Sequence, residues 1–268
     1  MYVNLQKHSS KNKDSHFTGS GIPEIGKVQT CVGVELDGKM ILLDVGEGAS
    51  SSIAGSGIDV NMIEKIFISH THADHFIGLP RLLQYFKWRN RTKPIEIYLP
   101  AKHIDAVEKF LAFLYIFRDR FDFEYKFLPL PEGEFFAIEN LKMKLFPTKH
   151  LKKYKKYTEL YGIETVSYGY LIEEVTNDGV NLKSFLFSSD LHSVDEVKDY
   201  LDGLDLLLIE CSHIEIEDII DVVSDFYIPR IILTHVSPDK DLTTMTEYAR
   251  AKFDMNIQLA YDGMKIEL

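Results

Sequence analysis

The sequence predicts a layered α/β sandwich, with sheets covered by helices. Three observations carry that expectation. Short apolar runs of strand length recur along the chain, and several end in a polar residue of metal-ligand type. The last third alternates such runs with segments of helical period. The 268 residues are 45% hydrophobic and 12% aromatic, enough for a sizeable packed core. At roughly 150 residues per domain that length suits one large domain or a tightly fused pair, and residues 1–268 are read as one domain.

Residues 1–27 are rich in Ser, Lys, His and Gly and read as an irregular arm. Segments 28–35 and 39–45 are strands about Asp37-Gly38, a turn signal because both residues tolerate positive φ. Gly46-Glu47-Gly48 closes the second strand. Segment 66–69 is a short buried strand running straight into a histidine-rich loop. Segment 79–88 has helical spacing and 95–99 reads as a strand. A helix is expected over 101–117, with Ile104, Val107, Phe110, Leu111 and Leu114 on its apolar face. Strands follow near 125–128, 141–146, 167–172 and 185–188, and 170–185 has room for a hairpin turning at Asn177-Asp178-Gly179. Then come helix 194–201, strand 204–209, helix 214–226, strand 230–233, helix 242–253 and closing strands 257–259 and 264–266. No low-complexity tract and no short-period repeat interrupts this order.

The net charge of −11 opposes long-range attraction of nucleic acid, which would need a local basic patch. Cys31 and Cys211 each sit in an apolar run and read as buried thiols of a reducing compartment. No run approaches the ~18 apolar residues of a membrane-spanning helix, and the first fifteen residues lack an apolar signal core. The expectation is a cytoplasmic protein with no membrane partner.

The chemistry is concentrated in Ser69-His70-Thr71-His72-Ala73-Asp74-His75. Three imidazoles and a carboxylate within six positions, just past a buried strand, are a metal-ligand spacing rather than a scatter of surface residues. A tight loop there turns His70 and His72 toward one cation and Asp74 and His75 toward another. Imidazole with carboxylate and no thiolate nearby suits zinc, iron or manganese and argues against a Cys-rich structural zinc site. His150, Asp190 and His235 likewise follow apolar strands. Singly they read as a loop residue, a helix N-cap and a strand cap; together they complete seven ligands for two cations.

These motifs resemble the metallo-β-lactamase superfamily: His70-Thr71-His72-Ala73-Asp74-His75 is similar to its His-x-His-x-Asp-His signature, and His150, Asp190 and His235 match its later ligands in order. Gly19-Ser20-Gly21-Ile22-Pro23, Asp44-Val45-Gly46-Glu47-Gly48 and Ser167-Tyr168-Gly169-Tyr170 resemble segments of the ribonuclease Z-like branch, and favour it over a β-lactamase or thioesterase. The resemblance covers nearly the whole chain after residue 17. It implies a four-layer αβ/βα metallo-β-lactamase sandwich with the metals at one edge. By position, His70, His72 and His150 would hold one ion, and Asp74, His75 and His235 the other. Asp190 would bridge, and Asp74 would also orient or deprotonate the water. Two divalent ions are implied, zinc first, with manganese or iron as alternatives. They would form a metal-bridging hydroxide and stabilise a phosphoryl transfer.

Two departures from ribonuclease Z bear on substrate. Where that family has His-Glu-Ala-Thr, whose His is a proposed proton donor, this chain has Ile209-Glu210-Cys211-Ser212. His213 is the candidate substitute, with a capping or surface role as the alternative. The span 170–185 is also too short for the family's tRNA-gripping arm. Together with the net charge, this favours a small phosphodiester such as a cyclic nucleotide over RNA. In general layout the chain resembles arm-less cyclic-nucleotide phosphodiesterases, among them phage proteins that destroy the messenger of the Pycsar defence. Lys149, Lys152, Lys153, Lys155 and Lys156 interleave with Tyr154 and Tyr157 beside His150. Lys152 and Lys153 would hold a phosphate while Tyr154 stacks on a base; a solvated charged face is the competing reading. Lys87, Arg89, Arg91 and Lys93 around Trp88 read as a surface helix end. The alternatives are a tRNA 3′-processing endonuclease and a non-catalytic metal-binding module. A homodimer is expected from the resemblance, with the aromatics of 110–117 as a contact.

Overall fold

The computed structural model describes residues 1–4, 27–133, 135–176, 178–237, 240 and 242–268. Its first elements are β1 (Tyr2–Asn4), β2 (Val32–Leu36), β3 (Lys39–Leu43), α1 (Ala49–Ser56), β4 (Ile63–Phe67), α2 (Ala73–Phe76), α3 (Leu79–Trp88), β5 (Ile95–Leu99), α4 (Ile104–Phe113) and β6 (Tyr125–Pro129). There follow β7 (Phe136–Ile138), β8 (Leu141–Thr148), α5 (Lys155–Tyr161), β9 (Ser167–Val175), β10 (Asn181–Phe187), β11 (Leu206–Glu210), α6 (Ile216–Val223), β12 (Arg230–Thr234), α7 (Leu242–Phe253), β13 (Ile257–Leu259) and β14 (Lys265–Glu267).

The chain divides into two compact units. The first takes residues 1–130, 156–164 and 261–267; the second takes 131–155, 165–260 and 268. In the first, one sheet runs β14-β1-β2-β3-β4-β5-β6. It is parallel except for the β2–β3 hairpin, whose turn is Asp37 (φ 53°) and Gly38 (φ 73°), as the two-residue signal requires. The apolar residues of β4, β5 and the residue just past β4 join a helix-covered core: Ile66, Ile68, Ile97 and Leu99 cluster with Leu79, Leu82, Leu83 and Phe86 of α3. β3 and β4 run parallel, so their C-terminal ends share one edge, which places Asp44 beside Ser69 and His70.

The second unit has its own sheet, β13-β12-β11-β10-β9-β8-β7. β10 to β13 are parallel, while β7 to β10 are antiparallel. β8 and β10 both oppose β9, so the C-terminal ends of β8, β10, β11 and β12 fall on one edge. β11, Leu-Leu-Leu-Ile-Glu, is buried throughout and ends in a carboxylate at that edge. α6 buries Ile216, Ile219, Ile220 and Val223 at helical spacing in this unit's core, each contributing about 1.5–3 kcal/mol.

Several expectations need correction. Residues 2–4 of the expected arm form β1, held between β2 and β14; three residues are too few to show a period. Residues 5–26, including Gly19 to Pro23, lie outside the described residues, as does Asn177. The helix expected over 101–117 begins with a 3-10 turn and stops at Phe113. Tyr115 takes φ 59°, its N–H bonds Ala112 O, and Ile116 N–H returns to Leu111 O, a Schellman closure made without glycine. Segment 194–201 forms two 3-10 turns instead of a helix, the first capped by Ser193. α1, β7 and α5 carried no periodic signal and were not expected.

Candidate metal centre

In the first unit the loop after β4 presents His70 and His72, and α2 presents Asp74 and His75. His70 and His75 are fully buried. The His70 ring centroid lies 4.7 Å from that of His72 and 4.2 Å from that of His75, and His75 Nε2 is 3.6 Å from Asp74 Oδ2. What orients these rings is Asp44, buried and held at φ 59° just past β3. It accepts from Ser69 N at 2.7 Å, Ser69 Oγ at 2.8 Å and His75 Nδ1 at 2.8 Å. Ser69 Oγ spends its proton on Asp44 and so accepts from His70 Nδ1, 3.0 Å away. Both histidines therefore carry their proton on Nδ1 and keep the Nε2 lone pair, the form in which an imidazole ligates a cation. Burial pushes the Asp44 carboxyl up, while His75 and the Ser69 donors pull it back.

The Asp44-Val45-Gly46-Glu47-Gly48 motif also clamps the back of α2. Val45 N–H bonds His75 O, Thr30 N–H bonds Asp74 O, and Gly78 N–H bonds Val45 O. A Cβ on Gly46 would stand 2.1 Å from Asp74 O, so only glycine allows the approach. Gly169 of the Ser-Tyr-Gly-Tyr segment has the same kind of role, since a Cβ there would meet Phe146 at 2.1 Å.

In the second unit the shared strand edge gathers His150, Asp190, Glu210, His213 and His235. Asp190 is buried, with Oδ2 3.3 Å from His150 Nε2 and 3.9 Å from His213 Nδ1, and Oδ1 3.7 Å from His235 Nδ1. It is not a helix N-cap, because Ser193 caps the turn that follows. Ser189 and His235 both have φ 49°, so two strand ends at this edge hold non-glycine residues in a sparsely populated conformation, as functional sites commonly do.

Glu210 is the residue that sequence reasoning left without a role. It is 1% exposed and accepts from Leu191 N at 3.1 Å, Ser212 N at 2.7 Å and His213 N at 2.9 Å. His213 Nδ1 lies 3.2 Å from its Oε1. Burial works against its charge, but the bonds from His213 and His235 outweigh that and hold the carboxyl down to about 2. Glu210, His213 and His235 also converge closely enough to hold a cation. The His213 ring lies between those of His150 (4.4 Å) and His235 (5.4 Å), with its side chain 29% exposed.

Both sets suit divalent metal: nitrogen and carboxylate oxygen donors, most of them buried, with outer partners that fix the tautomers of His70 and His75. The thiols take no part. Burial pushes Cys31 and Cys211 up to about 12 each, so neither is a thiolate at neutral pH. Lys152 and Lys153 are exposed on the 3-10 turn that begins at His150, and Lys153 Nζ sits 5.2 Å above the Tyr154 ring. Arg91 is no surface cation. It is buried and donates to the Val60, Lys93 and Pro94 carbonyls.

A family model described as anti-Pycsar protein Apyc1 matches residues 17–240. The chain belongs to the Apyc1 family. This places it in the ribonuclease Z-like branch of the metallo-β-lactamase superfamily. The Apyc1-family chain is similar to the ribonuclease Z of Picrophilus torridus, with 36% identity over 97 residues, 36% of this chain and 31% of that protein. It thus spans about a third of the length of the curated relatives it matches. Among solved structures it is similar to the metallo-β-lactamase fold protein YhfI from Bacillus subtilis, with a TM-score of 0.71 at 15% identity over 94% of this chain and 96% of that one. Human tRNase Z, short form, gives a TM-score of 0.62 at 22% identity over 92% and 95%. These likenesses show the α/β metallo-β-lactamase fold expected from the sequence. No helix among the described residues is long and apolar enough to cross a membrane.

Proposed function

We propose that this chain is a two-metal phosphodiesterase acting on a small phosphodiester, with a 3′,5′-cyclic nucleotide as the substrate class. Its two units act as one functional domain. His70, His72 and His150 would hold one ion, Asp74, His75 and His235 the other, and Asp190 would bridge; zinc is preferred over manganese or iron. Bound ions of this kind lower the pKa of water toward ~7 and neutralise charge developing on phosphoryl oxygens.

The chain's own residues do the rest. Asp74 orients or deprotonates the attacking water. His213 donates from Nε2 to the leaving oxygen, oriented by Glu210, whose Oε1 faces its Nδ1 at 3.2 Å. Lys152 and Lys153 attract the phosphate, and Tyr154 offers a ring face to the base. The observation that carries the proposal is the buried Asp190 carboxylate, within 3.3–3.9 Å of three imidazoles at one sheet edge.

A second reading, a tRNA 3′-end endonuclease, is favoured by the ribonuclease Z relatives. Incubating metal-loaded protein with 3′,5′-cyclic nucleotides, bis-4-nitrophenyl phosphate and precursor tRNA side by side separates the two. Faster turnover of a cyclic nucleotide supports the proposal, and preferential tRNA cleavage overturns it. Metal binding with no turnover of any of the three would leave a binding module. Exposed Phe113 (78%), Tyr115 (83%) and Phe117 (43%) support a homodimer, which sedimentation tests; Phe110 is committed to the first unit's core. The two reduced, buried cysteines support a cytoplasmic location.

A further inference from the structure

His103 is outside the proposed ligand set, yet both its ring nitrogens are engaged. It stands immediately before α4 and is 4% exposed. Its Nδ1 is 3.2 Å from Thr71 Oγ1, and its Nε2 accepts the Glu164 backbone N–H at 3.2 Å. Thr71 is the residue between His70 and His72. Glu164 ends the 156–164 segment that carries most of α5 and leads on from the lysine-rich turn. The neighbouring Lys102 pairs with the Glu164 carboxylate at 3.3 Å, a second tie on the same segment.

The tautomer follows from the donors. An amide N–H only donates, so Nε2 holds the lone pair; the ring proton is then on Nδ1 and goes to Thr71 Oγ1. Burial holds the His103 imidazole below its usual range, which agrees with a neutral ring. A helix-capping role does not account for this arrangement, since the His103 side chain makes no cap bond to α4.

We infer that His103 is a positioning residue that ties the metal-binding loop, through Thr71, to the segment following the lysine-rich turn, through Glu164. As a role in hydrolysis this rests on the phosphodiesterase proposal above. One side of the ring sets the loop that presents His70 and His72; the other sets the segment next to the phosphate-attracting lysines. The two arms can be cut separately. His103→Asn places an amide N–H near the position of Nδ1–H, keeping the Thr71 bond and dropping the one from Glu164. Thr71→Val removes the Thr71 bond and keeps the Glu164 bond.

With bis-4-nitrophenyl phosphate, His103→Asn is expected to raise KM about fivefold with little change in kcat, the factor corresponding to one net hydrogen bond. Thr71→Val is expected to lower kcat by about the same factor with little change in KM. Two readouts do not depend on turnover. Two-bond 1H–15N spectra of the zinc-loaded chain should show His103 as the neutral Nδ1–H tautomer. Hydrogen exchange at the Glu164 amide should accelerate in His103→Asn and not in Thr71→Val. An Nε2–H tautomer, or variants that change kcat and KM alike, would overturn the inference. A wild-type chain that hydrolyses nothing defeats the phosphodiesterase proposal alone, and the spectra and exchange rates then still decide whether His103 links the two segments.

Discussion

Replacing Asp44 by asparagine exchanges one carboxylate oxygen for an NH2 group in a pocket that supplies only donors. Asp44 is fully buried and accepts from Ser69 N at 2.7 Å, Ser69 Oγ at 2.8 Å and His75 Nδ1 at 2.8 Å. If the asparagine oxygen stays on Ser69 N–H, its NH2 group faces Ser69 Oγ and His75 Nδ1. The imidazole then moves its proton from Nδ1 to Nε2, or a buried donor–donor contact remains. The first outcome removes the lone pair that ligation needs. The second forfeits a charge-assisted bond of about 1.5–3 kcal/mol. Zinc affinity should fall by roughly 10- to 100-fold, the effect usual for partners that orient ligating histidines. Competition against a chromophoric zinc chelator measures it, with thermal melting of the metal-free chain as the folding control. Unchanged zinc affinity in a folded Asp44→Asn chain would refute the proposed His75 orientation.

Other substitutions probe separate parts of the account. Gly46→Ala forces a methyl group to within 2.1 Å of Asp74 O and should destabilise by about 3 kcal/mol, roughly 6–12 °C in Tm; an unshifted calorimetric melt would contradict the clamp on α2. His213→Ala should slow hydrolysis of a cyclic nucleotide about 100-fold or more. Its effect on bis-4-nitrophenyl phosphate should be far smaller, because nitrophenolate leaves without a proton. Equal losses on both substrates would remove His213 as the proton donor. Lys152→Glu with Lys153→Glu should raise KM more than it lowers kcat, and an unchanged KM would return those lysines to the solvent-facing role.

Most of the strand order and the ligand motifs could be read from residues because both follow short rules. A parallel strand covered on both faces tends to be apolar throughout, so β11 and β12 stand out as runs, and each ends at a polar residue the sheet edge then presents. The hairpin at Asp37-Gly38 was legible for a similar reason, since its turn demands positive φ. What escaped depends on contacts distant in sequence. β1 is a strand only because β2 and β14 flank it. α4 stops at Phe113 and is closed by left-handed Tyr115, which carries no glycine or asparagine signal. Ser69 and Asp44 are 25 residues apart, and only their bond shows that they set the tautomers of His70 and His75. Glu210 shows the same limit: beside Ile209 it reads as a lost motif, whereas in space it anchors His213.

Metal content per chain tests the central claim most directly, measured by elemental analysis on the wild type and on one variant from each unit, His72→Ala and His235→Ala. The expected result is about two ions per wild-type chain and a loss in both variants, each still folded by circular dichroism. A wild type without bound metal, or a full complement retained in either variant, would contradict a centre built from both sets of side chains.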